Sequence, residues 1–452
     1  MSLLTKGIGL AKKAKHRFAD QLRARTPVYL SPVRRIERVA LHERVCAMTF
    51  DDGPCRLPAN PDHFNGKSLT QVLADTLEQY GARGTFDVVG DTSANYPDKA
   101  GKHGSASWGG VAYDHYPDFG KDDQGGVMHC PELITRLIEG GHEITSHTYS
   151  HVLFGFKPLV YGRRKHLNGL DPVVDDLKRL HERMEQGWNY TIRLSRPPHY
   201  VDSIQGGFTS YDAYALMGYQ YMAASFDGAG WLPLASYQAE VEATWRPMEQ
   251  ALQADPDCFC GQIIFQKDGF NMARRTPIAD GLEKQLQLLT DSGYQVVTVS
   301  ELLARSPFRD VLPDSETGRA ARRLLDYGWC VAYRDNTVRP DQIVTRGELA
   351  MTAYGWAAAR DRIAFVRAGK PPFRDLPCRH PYAAAAVLAD RAGAVCAASG
   401  RFRPDEPASA REIMQFATVC LGKKPSAGKE GVMTRGAFLQ LAASLLDSQA
   451  AE

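Results

Sequence analysis

The sequence predicts an α/β protein, a parallel sheet covered by helices and long enough to close as a barrel, followed by a small all-α repeat domain. Three observations predict it. Short apolar runs alternate with helical patterns between residues 39 and 305. After Ser306 the composition changes and the chain begins to repeat itself. Finally, the apolar run Val45-Cys46-Ala47-Met48 leads to Thr49-Phe50-Asp51-Asp52 and is stopped by Gly53-Pro54. That pattern places two carboxylates at the C-terminal end of a buried strand, where α/β barrels carry their chemistry.

Residues 1–38 are basic and carry Leu4, Ile8, Ala11, Phe18 and Leu22 at helical spacing. They read as a helix packed on the first domain or a frayed tail in preference to a helix on an anionic membrane surface. No continuous apolar stretch follows the first charges, so no secretory signal is expected. Strands are expected at Val45–Phe50, Gly84–Val89, His142–Thr145, Tyr219–Ser225, Gln262–Phe265 and Tyr294–Val299, and helices at Ser68–Tyr80, Pro131–Gly140, Asp171–Gln186 and Ile278–Ser292. Residues 91–129 interrupt the alternation. They carry Trp108, Tyr113, His115 and Tyr116, which suit stacking on sugar rings or a surface insertion packed on itself. From 306 to 452, Pro307-Phe308-Arg309-Asp310 recurs as Pro372-Phe373-Arg374-Asp375, and Arg339-Pro340-Asp341 as Arg403-Pro404-Asp405. Thr345-Arg346-Gly347-Glu348 has counterparts at Ser409-Ala410-Arg411-Glu412 and, in part, at Thr434-Arg435-Gly436. The domain is thus two helical units and a degenerate third.

Two adjacent carboxylates repel and lose hydration when buried, so a cation or a shared proton must compensate. About a hundred residues on, His147-Thr148-Tyr149-Ser150-His151 offers two imidazoles that share a face if the segment is helical. Either motif alone reads as a turn or as surface. Together, one carboxylate and two imidazoles make a three-ligand set with an open position on a zinc-like ion, and the second aspartate is free to handle protons. The bulk composition narrows the partners. A net charge of +2 gives no reason to expect nucleic acid, and no apolar run is long enough to span a membrane. The nine cysteines are odd in number and irregular in spacing, so they read as small core residues of a reducing setting, not as a disulfide framework.

At Thr49–Pro54, His147–His151 and Arg196-Pro197-Pro198 the sequence resembles the polysaccharide deacetylases (carbohydrate esterase family 4, the NodB homology domain), over about residues 40–305. The segments Gly84–Gly90 and Gly141–His147 resemble the same family. The resemblance implies a distorted (β/α) barrel of seven strands and one divalent metal, zinc first, with cobalt, nickel or manganese as alternatives. It implies removal of acetyl groups from an acetylated glycan, with Asp51 as catalytic base, Asp52, His147 and His151 as metal ligands, and Arg196 positioning the base. Pro198, His199, Tyr200, Asp227 and Trp231 fall where the family binds substrate. The chain departs from the family in placing His199 ahead of Tyr200, Gly230 where a second aspartate is usual, and Lys267 where a general-acid histidine is usual. Lys267 is then expected to protonate the leaving amine, or else to hold substrate. The repeats resemble S-layer homology units, which implies binding of cell-wall polysaccharide, with Arg346 as the clearest carry-over. Thr345 and Glu348 also read as a helix N-cap and its capping-box partner, which needs no ligand. Two alternatives remain: a catalytically impaired glycan-binding relative that keeps the metal triad, and a deacetylase of a small intracellular amide. The modules point to the cell envelope, and the missing signal to the cytoplasm.

Overall fold

Seven consecutive residues, Val45–Asp51, are all buried, and this strand is the centre of the sheet. The computed structural model describes residues 28–60, 62–91, 124–156, 165–231, 233–271, 273–361, 372–422 and 431–450. Strands are numbered β1 (Arg35–Ile36), β2 (Val45–Asp51), β3 (Thr85–Val88), β4 (Glu143–Ser146), β5 (Leu194–Ser195), β6 (Ser203–Ile204), β7 (Phe208–Thr209), β8 (Gln220–Met222), β9 (Phe226–Asp227), β10 (Ile263–Lys267) and β11 (Gln295–Val297). The main sheet runs β1-β8-β5-β4-β3-β2-β10-β9, with β11 on the start of β2, and every pairing in it is parallel. Because β8 and β9 lie on one run of chain, residues 220–227 pair with β5 at their start and with β10 at their end. The strands therefore go round as the distorted barrel expected from the sequence.

Helices α1 (Leu69–Gln79), α2 (Pro131–Glu139), α3 (Leu170–Trp188), α4 (Ser210–Met217), α5 (Tyr237–Ala254), α6 (Pro277–Asp291) and α7 (Val299–Arg305) cover the barrel. Helix α1 begins at a capping box in which Ser68 and Gln71 satisfy each other's backbone N–H groups. Alternate residues of the central strands face the helices: Phe50 and Phe86 stack with ring centroids 4.9 Å apart. The residues between them face inward, and by register Lys267, Asp51, Asp87 and Thr145 form one row across β10, β2, β3 and β4. Helices α4, α5 and α7 and the short strands β1, β5, β6, β7 and β9 are additions to the sequence reading. Two-residue strands carry too few positions for a period, and Pro247 interrupts the pattern of α5.

The basic segment 1–38 is described only from residue 28 on. Its end is ordered by both parts of the chain: β1 joins the sheet, while Leu30 is buried in the repeat-domain core and pairs with Tyr333. The aromatics expected at 108–116 lie outside the described residues.

Helices α8 (Glu316–Asp326), α9 (Arg346–Asp361), α10 (Ala383–Arg391), α11 (Ala410–Leu421) and α12 (Arg435–Ala450) form the C-terminal domain. The repeat is one of geometry as well as of letters. Asp310 accepts from the N–H groups of Val338 and Arg339, and Asp375 accepts from those of Phe402 and Arg403. Three short segments close a triangle through Ile343 with Thr434, Thr345 with Pro407, and Ser409 with Val432. The third, truncated unit therefore completes the domain.

Candidate metal centre

The site is built at the C-terminal ends of β2, β4, β5 and β10. Asp51 is the last residue of β2, and Asp52 turns the chain at φ 78°. Both carboxylates are nearly inaccessible, at 4% and 6% exposure. After β4 the chain reaches His147 and His151, and here the structure corrects the helical expectation. Residues 147–151 are a loop whose turns use Thr148 at φ 77° and His151 at φ 56°. Asp176 on α3 holds that loop by accepting from the N–H groups of Tyr149 (2.9 Å) and Ser150 (3.3 Å). The imidazoles converge all the same. Nε2 of His147 lies 3.3 Å, and Nε2 of His151 3.1 Å, from Oδ1 of Asp52, with ring centroids 4.9 Å apart.

Arg196, fully buried at the end of β5, crosses the barrel to pair with Asp51 and to donate to Oγ1 of Thr49 (3.1 Å). Lys267, buried at the end of β10, contacts Oδ2 of Asp52. Burial pushes the Asp51 carboxyl up to about 7, against the pull of Arg196 and His147. Burial acts the same way on Asp52, but Lys267 and the two imidazoles outweigh it and hold that carboxyl well below the usual range.

The residues present fit a divalent cation. One donor atom each from Asp52, His147 and His151 lies within 4.8 Å of the others, all three residues being buried. Charge points the same way: four buried carboxylates, Asp51, Asp52, Asp87 and Asp268, face two buried cations, Arg196 and Lys267. The carboxylates thus outnumber the buried cations, and a bound divalent cation would offset that imbalance.

Of the other residues singled out by the sequence, His199 reaches the site, its ring edge-on to that of His151 at 5.3 Å. Pro198 is buried beneath it. Tyr200 packs under the guanidinium groups of Arg35 and Arg196, and its N–H donates to the carbonyl of Pro197 (3.0 Å), so this N–H is already engaged within the chain. Asp227 and Trp231 form their own pair beyond β9, with the indole N–H 3.2 Å from the carboxylate. Arg346 lies in the repeat domain. It pairs with Glu412 and donates to the carbonyls of Phe402 and Cys396, both at 2.8 Å.

Sequence reasoning missed Asp87 and Asp268. Each is a carboxylate in or beside an apolar strand, and that is the signal that reveals them. Asp268 accepts from Thr70 on α1, and burial pushes it up to about 7. A Cβ at Gly53 would collide with its carboxylate, which explains the glycine in the turn after Asp52.

Residues 38–203 match the family model described as polysaccharide deacetylase. Over those residues the chain is similar to the polysaccharide deacetylases. This family consists of metal-dependent hydrolases that act on the carbon–nitrogen bond of N-acetylated sugars. The chain is 24% identical over 266 residues to the peptidoglycan-N-acetylmuramic acid deacetylase PdaC of Bacillus subtilis, which takes in 59% of this chain and 40% of that protein. It is 26% identical over 267 residues to the peptidoglycan-N-acetylglucosamine deacetylase of Bacillus cereus, covering 58% and 89%. The solved structure of PdaC aligns with 59% of this chain and 93% of its own at 22% identity and a TM-score of 0.37. Measured against the full length of PdaC, the match takes in 40%, so this chain spans well under half of that protein. The family match ends before Asp227, Trp231, Lys267 and the repeats, so these belong to the part of the chain beyond the matched deacetylase segment.

Proposed function

We propose that the chain is a hydrolase that removes acetyl groups from an N-acetylated amino-sugar glycan of the cell envelope, with peptidoglycan sugars as the first class to test. The observation that carries the reading is the convergence of Asp52, His147 and His151 beside the Arg196-paired carboxylate of Asp51. The peptidoglycan assignment draws on the names of the two relatives. A divalent cation held by those three residues, zinc first, would polarise the acetyl carbonyl and acidify water. Asp51 takes a proton from the water that attacks the carbonyl, and Arg196 holds that carboxylate in place. Lys267 gives a proton to the departing amine, so that amide and water leave as acetate and amine. The 3₁₀ turn Pro198–Tyr200 lines the sugar's approach through His199, while Asp227 and Trp231 offer a rigid indole platform further out.

The sheet domain is read as residues 39–305 and the repeats as 306–452. Among the described residues no helix is long and apolar enough to cross a membrane. The recurring motifs support reading the repeats as S-layer-homology-like units, but the guanidinium of Arg346 is engaged between two of them. Any wall-polymer contact is therefore expected from other residues, which a wall-pelleting assay on Arg346→Ala tests: pelleting equal to wild type is expected. A second reading, a glycan-binding protein without turnover, is favoured by the contact of Lys267 with the ligand Asp52.

Acetate release from acetylated chitooligosaccharides and peptidoglycan fragments decides between them. The metal-loaded wild type is expected to release acetate and Asp51→Asn to lose at least about a hundredfold in rate. Metal-loaded protein that binds these glycans and releases nothing would establish the second reading.

A further inference from the structure

One buried carboxylate of the site has no part in the chemistry above. Asp87 is wholly inaccessible, on a strand whose four residues are all buried. By register it stands between Asp51 on β2 and Thr145 on β4. Its Oδ1 accepts from Oγ1 of Thr145 at 2.6 Å. Its Oδ2 lies 2.9 Å from Nδ1 of His147, and that same Nδ1 is 2.9 Å from the carbonyl oxygen of Arg196.

We propose that Asp87 is the positioning residue of the cation site, acting through the far edge of the His147 ring. The inference rests on the reading that Asp52, His147 and His151 hold a divalent cation. A carbonyl oxygen and a carboxylate oxygen can only accept, so Nδ1 carries the proton. In the neutral ring that a cation would bind, the lone pair is then on Nε2, the atom turned toward Asp52. The aligned hydrogen bond goes to the Arg196 carbonyl, which by itself fixes the tautomer. Oδ2 of Asp87 is left buried without an aligned donor. An ionised oxygen in that position disfavours folding unless its charge is used. What the carboxylate adds beyond the carbonyl is therefore charge. It makes the ring a more basic ligand and gives the Nδ1 proton a second, negative acceptor. Asp87 also belongs to the buried carboxylates that outnumber the cations of the site.

The test is the zinc affinity of the full chain, measured by competition with a chromophoric chelator, together with the visible spectrum of the cobalt-loaded protein. Asp87→Asn keeps the shape, since its amide can donate to Thr145 and accept from His147, but it removes the charge. It is expected to weaken zinc binding about tenfold, and Asp87→Ala by up to about a hundredfold, the range seen when outer partners of metal-bound imidazoles are lost. The cobalt bands are expected to shift in both variants. The metal-free variants are expected to melt no lower than wild type, which a purely structural role for Asp87 would not allow. Asp52→Ala serves as the control and is expected to abolish binding. If wild type takes up no metal, or Asp52→Ala binds as tightly as wild type, the cation-site reading falls and this inference with it. If wild type binds and Asp52→Ala does not, but Asp87→Asn binds within twofold of wild type with an unchanged cobalt spectrum, the role of Asp87 alone is overturned. Should Asp87→Ala fail to fold, the isosteric Asn variant decides.

Discussion

At the scale of single residues, the site is governed by how buried charges share counter-charges. As the base of the proposed reaction, Asp51 would have to be ionised to accept a proton, yet in the metal-free chain burial pushes its carboxyl up to about 7. Arg196 is the main force in the opposite direction. A base acts above its pKa, so the acid limb of kcat/KM is set by this balance and falls about tenfold per pH unit below it. Removing the guanidinium raises the pKa further. Arg196→Met is therefore expected to move the acid limb to higher pH, while Arg196→Lys, which keeps the charge, leaves it closer to wild type. A pH profile of metal-loaded Arg196→Met that coincides with wild type would remove Arg196 from the control of Asp51.

At the scale of elements, the decisive piece is the loop from His147 to His151. Its histidines were legible in the sequence as a candidate ligand pair, because imidazoles after an apolar strand are conspicuous. Its conformation was not legible. Spacing by four suggests a helix, and only the left-handed Thr148 and His151, with the distant Asp176, bring the rings together another way. The same limit explains why Asp51, Asp52 and Arg196 could be read from short motifs while Asp87 could not. The importance of Asp87 comes from strand register, which sets it beside Asp51 and level with Thr145. Asp176→Ala should test the loop directly. It leaves two buried N–H groups without acceptors, at about 1–3 kcal/mol each. Thermal unfolding of the metal-free protein is expected to shift down accordingly, and zinc affinity to fall, with Asp176→Asn intermediate because its amide oxygen can still accept. Zinc affinity unchanged in Asp176→Ala would mean that the loop holds its shape without α3.

At the scale of the whole molecule, two folded parts are fastened by residues 28–36. Leu30 donates its N–H to the hydroxyl of Tyr382 at 3.0 Å. The Arg34 side chain donates to the carbonyl of Pro307 and to Asn336, while its backbone N–H donates to the side chain of Gln220 on β8. Within the repeat domain the units interlock by one device used twice. Arg435 donates to the carbonyls of Val338 and Val331 and faces Glu348, in the way that Arg346 meets Phe402, Cys396 and Glu412. The two arginines differ in depth, with side chains 1% and 12% exposed. Breaking a buried ion pair by removing one partner costs about 3–5 kcal/mol, and the cost falls as water reaches the pair. Arg435→Met is therefore expected to destabilise the repeat domain by that amount, and Arg346→Met by less. Neither arginine touches the barrel site, so acetate release at room temperature is expected to persist in both. Calorimetry of the two variants ranks the interfaces. Arg346→Met melting below Arg435→Met would show that burial does not set the strength of this interlock.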